Sequence, residues 1–131
     1  MVEVLYSIFL NKNSLICTND GMYQMNHDAF KDILKDKINN KGYVFLRVHG
    51  NSMFPTIRDN DLVCVSKTQN ISVGDVIGYF LDNGDHLDIV IHRVVLVRKT
   101  YVLTKGDNND FIDPVRISMS SILGVISDYE V

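Results

Sequence analysis

The chain has 131 residues, of which 46% are apolar and 22% charged, a composition typical of one globular domain with a hydrophobic core. This composition excludes a disordered or collagen-like chain. The formal net charge is -3 and Lys and Arg form no run longer than two residues, so no nucleic acid partner is expected.

The first apolar stretch, Val2 to Leu10, is too short to cross a membrane. It covers nine residues and contains Glu3, whereas a spanning helix needs roughly 20 apolar residues. No basic segment precedes it and no small-residue cleavage site follows it, so it does not look like a signal peptide. The sequence therefore predicts a cytoplasmic protein without a transmembrane anchor.

Valine and isoleucine dominate the apolar positions, with sixteen and thirteen copies in short runs between Gly, Asn and Asp. Because β-branched side chains suit a pleated surface, we predict a mainly β fold. The predicted strands are Val2 to Leu10, Leu15 to Thr18, Tyr43 to His49, Asp61 to Ser66, Val76 to Leu81, Ile89 to Val97, Tyr101 to Lys105 and Ile122 to Ser127.

One helix is predicted, from about His27 to Asn39. Asn26 can cap its first turn, and Gly42 follows its end. Its buried face is predicted from the apolar residues at helical spacing, Phe30, Ile33, Leu34 and Ile38. We expect residues 1–42 to form a hairpin-and-helix segment that packs on a strand-rich body, residues 43–131.

Three groups of Gly, Asn and Asp predict turns, because these residues tolerate left-handed backbone geometry or bond to their own backbone. They occupy residues 19–21, 82–85 and 106–109. The two cysteines, Cys17 and Cys64, lie in apolar stretches without C-x-x-C spacing, and no His, Asp or Glu pair has the spacing of metal ligands. We expect two buried thiols, no metal site and no other cofactor.

A bend that carries a serine follows the predicted strand Tyr43 to His49. Residues 50–56 read Gly-Asn-Ser-Met-Phe-Pro-Thr, so Ser52 lies between a glycine that permits a tight bend and a proline that ends the strand. Taken alone, a serine in such a loop is more often a turn residue than a nucleophile.

Residues 50–56 match the G-x-S-M-x-P-T motif of signal peptidases, five fixed residue types whose chance coincidence is on the order of one in a million per start position. The chain therefore resembles the signal peptidase and LexA-like serine peptidase superfamily, over about residues 43–127. Its further motifs follow in the same order: Asn60-Asp61-Leu62-Val63, Val73-Gly74-Asp75-Val76-Ile77, Ile91-His92-Arg93-Val94 and Lys105-Gly106-Asp107-Asn108-Asn109. Asn60 replaces the usual glycine. The resemblance implies a coiled β-sheet or partly open barrel.

His92 occupies the position of the superfamily's general base. Bacterial signal peptidases and LexA-like proteins have a lysine there, whereas the endoplasmic-reticulum and archaeal type has a histidine, so the resemblance is to the histidine type. A lysine needs its pKa lowered by about three units from 10.4 to accept a proton near neutrality, while an ordinary imidazole, near 6.5, needs no such shift. The alternative is a structural histidine on an apolar strand face.

A neutral imidazole needs a partner on its second nitrogen, which a carboxylate provides in Ser-His-Asp sites. The resemblance links acidic residues at two positions to activity, and both are present here as Asp107 and Asp113. The sequence does not decide which of them contacts His92. Plain turn chemistry is the alternative for both. Lys105 is a further candidate, as an ion-pair partner of Asp107 or as a base.

The resemblance assigns the oxyanion contact to the backbone N–H of Ser52, helped in some members by a hydroxyl two residues earlier. This chain has Gly50 there, and Asn51 is a candidate substitute. One such side-chain donor is worth roughly 10²- to 10³-fold in rate, which allows for a slow or narrowly specific enzyme. Met53 and Phe54 are candidate groove residues; we expect Met53 to point inward and leave Phe54 open.

Together these residues predict a serine endopeptidase that cleaves a peptide or precursor of the leader or signal type. Two alternatives stay open: a catalytically weak or inactive peptide-binding module, and a LexA-like self-cleaving protein. The second is weakened because Ala29 is the single alanine and the chain contains no Ala-Gly or Cys-Gly bond. The expected partner is a peptide or protein substrate, whereas the natural substrate, the oligomeric state and the role of residues 1–42 are not predicted.

Overall fold

The computed structural model describes residues 4–5, 10–11, 15–18, 21–24 and 26–129. One α-helix, α1 (His27–Lys41), and one short 3-10 helix, Met119–Ser121, lie among the strands. The strands are β1 (Val4–Leu5), β2 (Leu10–Asn11), β3 (Leu15–Thr18), β4 (Gly21–Gln24), β5 (Tyr43–Arg47), β6 (Leu62–Ser66), β7 (Val76–Asp82), β8 (His86–Val97), β9 (Tyr101–Lys105), β10 (Ile117–Ser118) and β11 (Ile122–Tyr129).

Most of the described strands belong to one sheet, in the order β1-β5-β6-β11-β7-β8-β9-β10, with β2 paired to the start of β8. The pair β1 and β5 is parallel and the other pairs are antiparallel. The hairpin of β3 and β4 forms a separate small sheet. This open sheet confirms the prediction of a mainly β fold.

Strand positions agree well with the sequence prediction, and the differences have local causes. β3 and β9 have the predicted bounds, whereas β8 begins three residues early, at His86. β5 ends two residues early, at Arg47, and hydrogen bonds of Val48 with Asn60 and Asp61 then close the loop that leads to β6. The short strands β4 and β10 were missed. Of the predicted strand from residue 2 to residue 10, β1 and the first residue of β2 are described; the rest lies outside the described residues, as does most of the predicted turn at 19–21.

Helix α1 confirms the helix prediction and ends two residues later than expected. The side chain of Asn26 accepts the N–H of Ala29 at 2.8 Å, and Gly42 caps the other end with its N–H on the carbonyl of Ile38. The buried apolar side chains of the helix, Phe30, Leu34 and Ile38, belong to the first hydrophobic core. Ile33, also predicted on this face, is only partly buried. The division of the chain at residue 42 stays a prediction.

Strand β8 passes between two hydrophobic cores. Its odd-numbered residues Leu87 and Ile89 are buried in the core that contains α1, while Val94, on the opposite face, is buried in a second core between β7, β9 and β10. Successive side chains of a strand alternate between faces, so each half of β8 covers a different core. His92, 9% exposed, lies where the buried face changes.

Candidate active site

The two residues singled out as nucleophile and base lie in direct contact. Oγ of Ser52, in the loop after β5, is 2.9 Å from Nε2 of His92 in the middle of β8, although 40 positions separate them in the sequence. This distance is within hydrogen-bond reach for a serine and its general base.

The loop around Ser52 is shaped by its neighbours on both sides. Gly50 has φ +98°, a conformation that L side chains rarely adopt, and its N–H donates to Asp59 Oδ1 at 2.8 Å. Met53 is 1% exposed, as predicted, and Ile57 is fully buried, so the loop is anchored directly behind the serine. Phe54, left open by the sequence, is 42% exposed. Ser52 is therefore held at the surface by an anchored turn.

Asp113 is the carboxylate that contacts the imidazole. Its Oδ2 lies 2.6 Å from Nδ1 of His92 and also accepts the hydroxyl of Thr104 at 2.7 Å. An ionised carboxylate can only accept hydrogen bonds, so Nδ1 carries the proton and Nε2 of the neutral ring is left to accept from Ser52. This tautomer is the one that a general base requires.

Behind Asp113, two buried hydroxyl groups, of Thr104 and Tyr79, continue the hydrogen-bonded chain. Neither residue was predicted from the sequence. Thr104 is fully buried, and its hydroxyl is 3.1 Å from the hydroxyl of Tyr79, which is 1% exposed. The hydroxyl of Thr104 has one proton, which it uses in the hydrogen bond to Asp113. Tyr79 must therefore be the donor in the hydrogen bond between the two hydroxyls. Burial, with a smaller contribution from the charge of Asp113, raises the pKa of Tyr79 to about 12.

The strand register explains why these residues meet. Tyr79 is opposite Val90 on β8, and Thr104 is opposite Val94, so both side chains lie on the face that carries His92. A polar residue at an inward position of an apolar strand is the only sequence signal for either one. That signal cannot be used until the pairing of the strands is known.

Asp107, the other aspartate considered, does not contact His92 in the structure. Arg93 donates from Nε to its Oδ1 and from Nη2 to its Oδ2, both at 2.8 Å, and Thr56 donates to Oδ2 at 2.6 Å. The Arg93 hydrogen bonds, helped by Thr56, lower the pKa of Asp107 against the effect of burial. Lys105 donates to the carbonyl of Gly106 at 3.1 Å and acts on Asp107 only through its charge. Asp107 thus joins β8 to the loop that carries Ser52.

The predicted turn at residues 106–109 is present and packs against the serine loop. The N–H of Asn108 donates to the carbonyl of Ser52 at 2.8 Å, and its side-chain amide donates to the carbonyl of Asn51 at 3.1 Å. A Cβ at Gly106 would lie 2.6 Å from the Ser52 carbonyl oxygen, so this close approach requires glycine. The backbone N–H of Ser52 has no acceptor among the described residues.

Asn60, which stands where the resemblance leads us to expect a glycine, lies in the turn that precedes β6. Its φ is 70°, in the left-handed region that asparagine enters more readily than most residues. Its N–H donates to the carbonyl of Val48 at 2.7 Å, and its own carbonyl accepts from Arg47 at 2.8 Å. Asparagine can therefore occupy this left-handed position in the turn.

A groove of about 260 Å³ opens beside Ser52 and His92. One wall is the stretch Leu46 to His49, and the other is the consecutive run Asp88 to His92 of β8. On one side, this run pairs with β7. On the other side, the described strand β2 pairs with β8 only before the run, and β9 pairs with β8 only after it, from Arg93 onward. Of the substrate-contact candidates, Met53 lines this groove, whereas the others lie outside its lining: Gly50, Asn51 and Phe54.

Two further features of the described residues concern membranes and metals. None of their helices has both the length and the apolar character needed to cross a membrane. Within the same part of the chain, no group of three or more His, Cys, Asp or Glu residues is arranged to hold a metal ion.

Cys64, expected to be buried, is a free and partly exposed thiol, and the side chain of Cys17 lies outside the described residues.

Comparison with known proteins identifies the family. The family described as Peptidase S24-like matches residues 14–127, which is most of the chain. No curated protein matches it. The match supports a peptidase or self-cleaving fold in general and confirms the resemblance to the LexA and signal peptidase superfamily, while the histidine-type subgroup stays a prediction. On the strength of this match, the chain belongs to the Peptidase S24-like family.

Proposed function

We propose that this protein is a serine endopeptidase, with Ser52 as nucleophile, His92 as general base and Asp113 as the residue that orients the imidazole. The observation that carries the proposal is the unbroken contact of the three side chains, at 2.9 Å and 2.6 Å. A nucleophile, a base and an orienting carboxylate within hydrogen-bond reach are what peptide hydrolysis requires.

The reaction begins when Ser52 Oγ attacks the carbonyl carbon of the substrate while Nε2 of His92 accepts the hydroxyl proton. Asp113 stabilises the imidazolium through its bond to the Nδ1 proton. The tetrahedral intermediate then breaks its C–N bond, and the Nε2 proton passes to the leaving amine. Water attacks the resulting ester with His92 again as base, which releases the acid product and restores the Ser52 hydroxyl.

The oxyanion of the intermediate is assigned to the backbone N–H of Ser52. This donor is held in place, because the carbonyl of Asn51, which belongs to the same peptide unit, accepts from the side chain of Asn108. Gly50 supplies no hydroxyl at the position that helps in other members, and the side chain of Asn51 is exposed. We therefore expect turnover roughly 10²-fold below that of an enzyme with a second donor.

The side of the run Asp88 to His92 that no described strand pairs with is the proposed binding edge for the substrate backbone. An extended peptide can add to such an edge through main-chain hydrogen bonds, which supply affinity without dependence on sequence. The groove between this run and residues 46–49 then accepts alternate side chains of the peptide. This placement brings the bound peptide alongside Ser52 and His92.

The test is to incubate the purified protein with a peptide library and to identify products by mass spectrometry. We expect cleavage by the unmodified protein and none by Ser52→Ala. Ser72→Ala, a change of an exposed serine away from the site, is the matched control and should cleave normally. Equal cleavage by the unmodified protein and Ser52→Ala would overturn the nucleophile assignment.

A peptide-binding module without catalysis is the second candidate function. The lack of a side-chain oxyanion donor at Gly50 favours it, since catalysis rests on one backbone donor. Binding of library peptides that are never cut, by both the unmodified protein and Ser52→Ala, would support this alternative. Self-cleavage would instead give two fragments in intact-mass spectra of the protein incubated alone.

A further inference from the structure

An aspartate that the proposed reaction does not use lies in the same groove. Asp88 is on β8 and forms part of the groove wall with Ser52 and His92. Its Oδ1 is buried and has no hydrogen-bond partner among the described residues. Burial raises the pKa of this carboxyl, and nearby His86 only partly opposes the effect.

A purely structural role does not explain this arrangement. A buried carboxylate oxygen without a donor destabilises the folded protein, because the hydration that it loses is not replaced. The two basic residues on the opposite wall do not offset this cost: no ion pair joins Arg47 or His49 to Asp88, and Arg47 donates to the carbonyl of Asn60. A ligand bound in the groove, which Asp88 lines, can supply a donor and the complementary charge to this carboxylate.

The position of Asp88 relative to the reacting groups is fixed by the strand. Asp88 and His92 are four residues apart in β8, whose pairing with β7 continues without a bulge between them, so both side chains lie on the same face. At roughly 3.3 Å per residue, the two positions are about 13 Å apart along the strand. An extended peptide beside β8 has nearly the same repeat, so four of its residues cover this distance.

We propose that Asp88 forms a subsite for a lysine or arginine side chain of the substrate, about four residues from the bond that is cut. An ammonium or guanidinium group carries several donors and the complementary charge, and it can reach a recessed carboxylate on a long apolar stem. The apolar neighbours Ile89 and Val90 in the groove wall suit such a stem. This inference rests on the proposed function, because it assumes that the groove binds a peptide.

The experiment measures binding separately from cleavage. Ser52→Ala protein is titrated with fluorescent 12-residue peptides in which one lysine is moved through otherwise neutral positions. The same series is measured with Ser52→Ala/Asp88→Asn and with Ser52→Ala/Asp85→Asn, the latter removing an equal charge from an exposed turn outside the groove. Unmodified protein, Asp88→Asn and Asp85→Asn are then assayed for cleavage of the same peptides.

We expect one lysine position to improve binding by roughly 10- to 100-fold, the range for a hydrogen bond to a charged group. Asp88→Asn should abolish this preference without lowering Tm, whereas Asp85→Asn should keep it. Binding that is insensitive to lysine, or equally reduced by both variants, overturns the subsite, as does a Tm loss in Asp88→Asn that accounts for weaker binding. If the protein prefers lysine at one position but cleaves no peptide, the Asp88 subsite stands and the proposed peptidase activity is wrong. If it cleaves peptides without a lysine preference, the peptidase activity stands and the subsite is wrong.

Discussion

The two halves of the candidate site are built in different ways. In the imidazole half, His92, Thr104 and Tyr79 lie on strands against a hydrophobic core, and Asp113 joins them from the loop between β9 and β10. The polar groups of these four residues are bonded in one continuous chain. The hydroxyl half is a surface loop, and Ser52 depends on contacts to a second loop. The imidazole is therefore positioned by burial and strand register, while the serine hydroxyl is positioned by polar bonds between two loops and by the buried side chains of Met53 and Ile57 next to it.

The largest expected effect comes from Asp113→Asn, in the buried half. The amide cannot hold the Nδ1 proton as the carboxylate does, so His92 loses the tautomer that accepts from Ser52. We expect kcat to fall by roughly 10⁴-fold. Steady-state kinetics on a cleaved peptide measure this, with Asp110→Asn, a change of an exposed residue in the same loop, as control. A fall below tenfold would contradict the role of Asp113.

Asp107→Asn should have a smaller effect, through the other half of the site. It weakens the link between Arg93 and Thr56, and so loosens the loop that carries Ser52. A displacement of about 1 Å costs on the order of 10²-fold in rate. We expect kcat/KM to fall by that amount while the NMR signal of the His92 Nδ1 proton keeps its position. Loss of that signal would show that the two halves are not independent.

Thr104→Val tests the chain behind Asp113 through stability. The valine leaves the buried hydroxyl of Tyr79 without its partner, which costs about 1–3 kcal/mol of the free energy of unfolding. Adding Tyr79→Phe should recover part of that loss, because the unpaired group is then removed. Urea unfolding of the two single variants and the double variant gives the coupling energy. Strictly additive losses would mean that the two hydroxyls do not interact.

The smallest effect is expected at an ion pair outside the site, where Asp82 contacts His27 and Lys31 at 2.9 and 3.0 Å. Burial raises the pKa of Asp82, but the Gly84 N–H, Lys31 and His27 outweigh it and lower the pKa to about 2. Because the folded value is below the unfolded one, the stabilisation is complete above about pH 4 and is lost as the pH falls towards 2.

Asp82→Asn should therefore reduce stability by about 0.2–1 kcal/mol near neutrality, the range for partly exposed pairs. The difference from the unmodified protein should shrink as the pH falls from 4 to 2. Thermal unfolding over this range measures it, with Asp36→Asn, a change of an exposed residue of α1, as control. If the stability difference between the unmodified protein and Asp82→Asn increased as the pH fell, the stabilising role of Asp82 would be contradicted.

Local sequence predicted those parts of the fold that depend on neighbouring residues. The cap at Asn26, the helix that follows it and the bounds of β3 and β9 agree with the prediction because side-chain spacing and turn chemistry act over a few residues. The short strands β4 and β10 were missed because two to four residues carry too little pattern. The inward position of Met53 was predicted, whereas the orientation of Phe54 was not.

Residue types in a fixed order along the chain were enough to predict the mainly β fold, the family and the serine and histidine of the candidate site. That Asp113 and not Asp107 contacts the imidazole follows only from the folded chain. The reason is the alternation of β8: His92 faces Thr104 and Asp113, while Arg93, the next residue, points to the opposite face and binds Asp107. Strand register is a property of the paired chain, so no single stretch of sequence contains it.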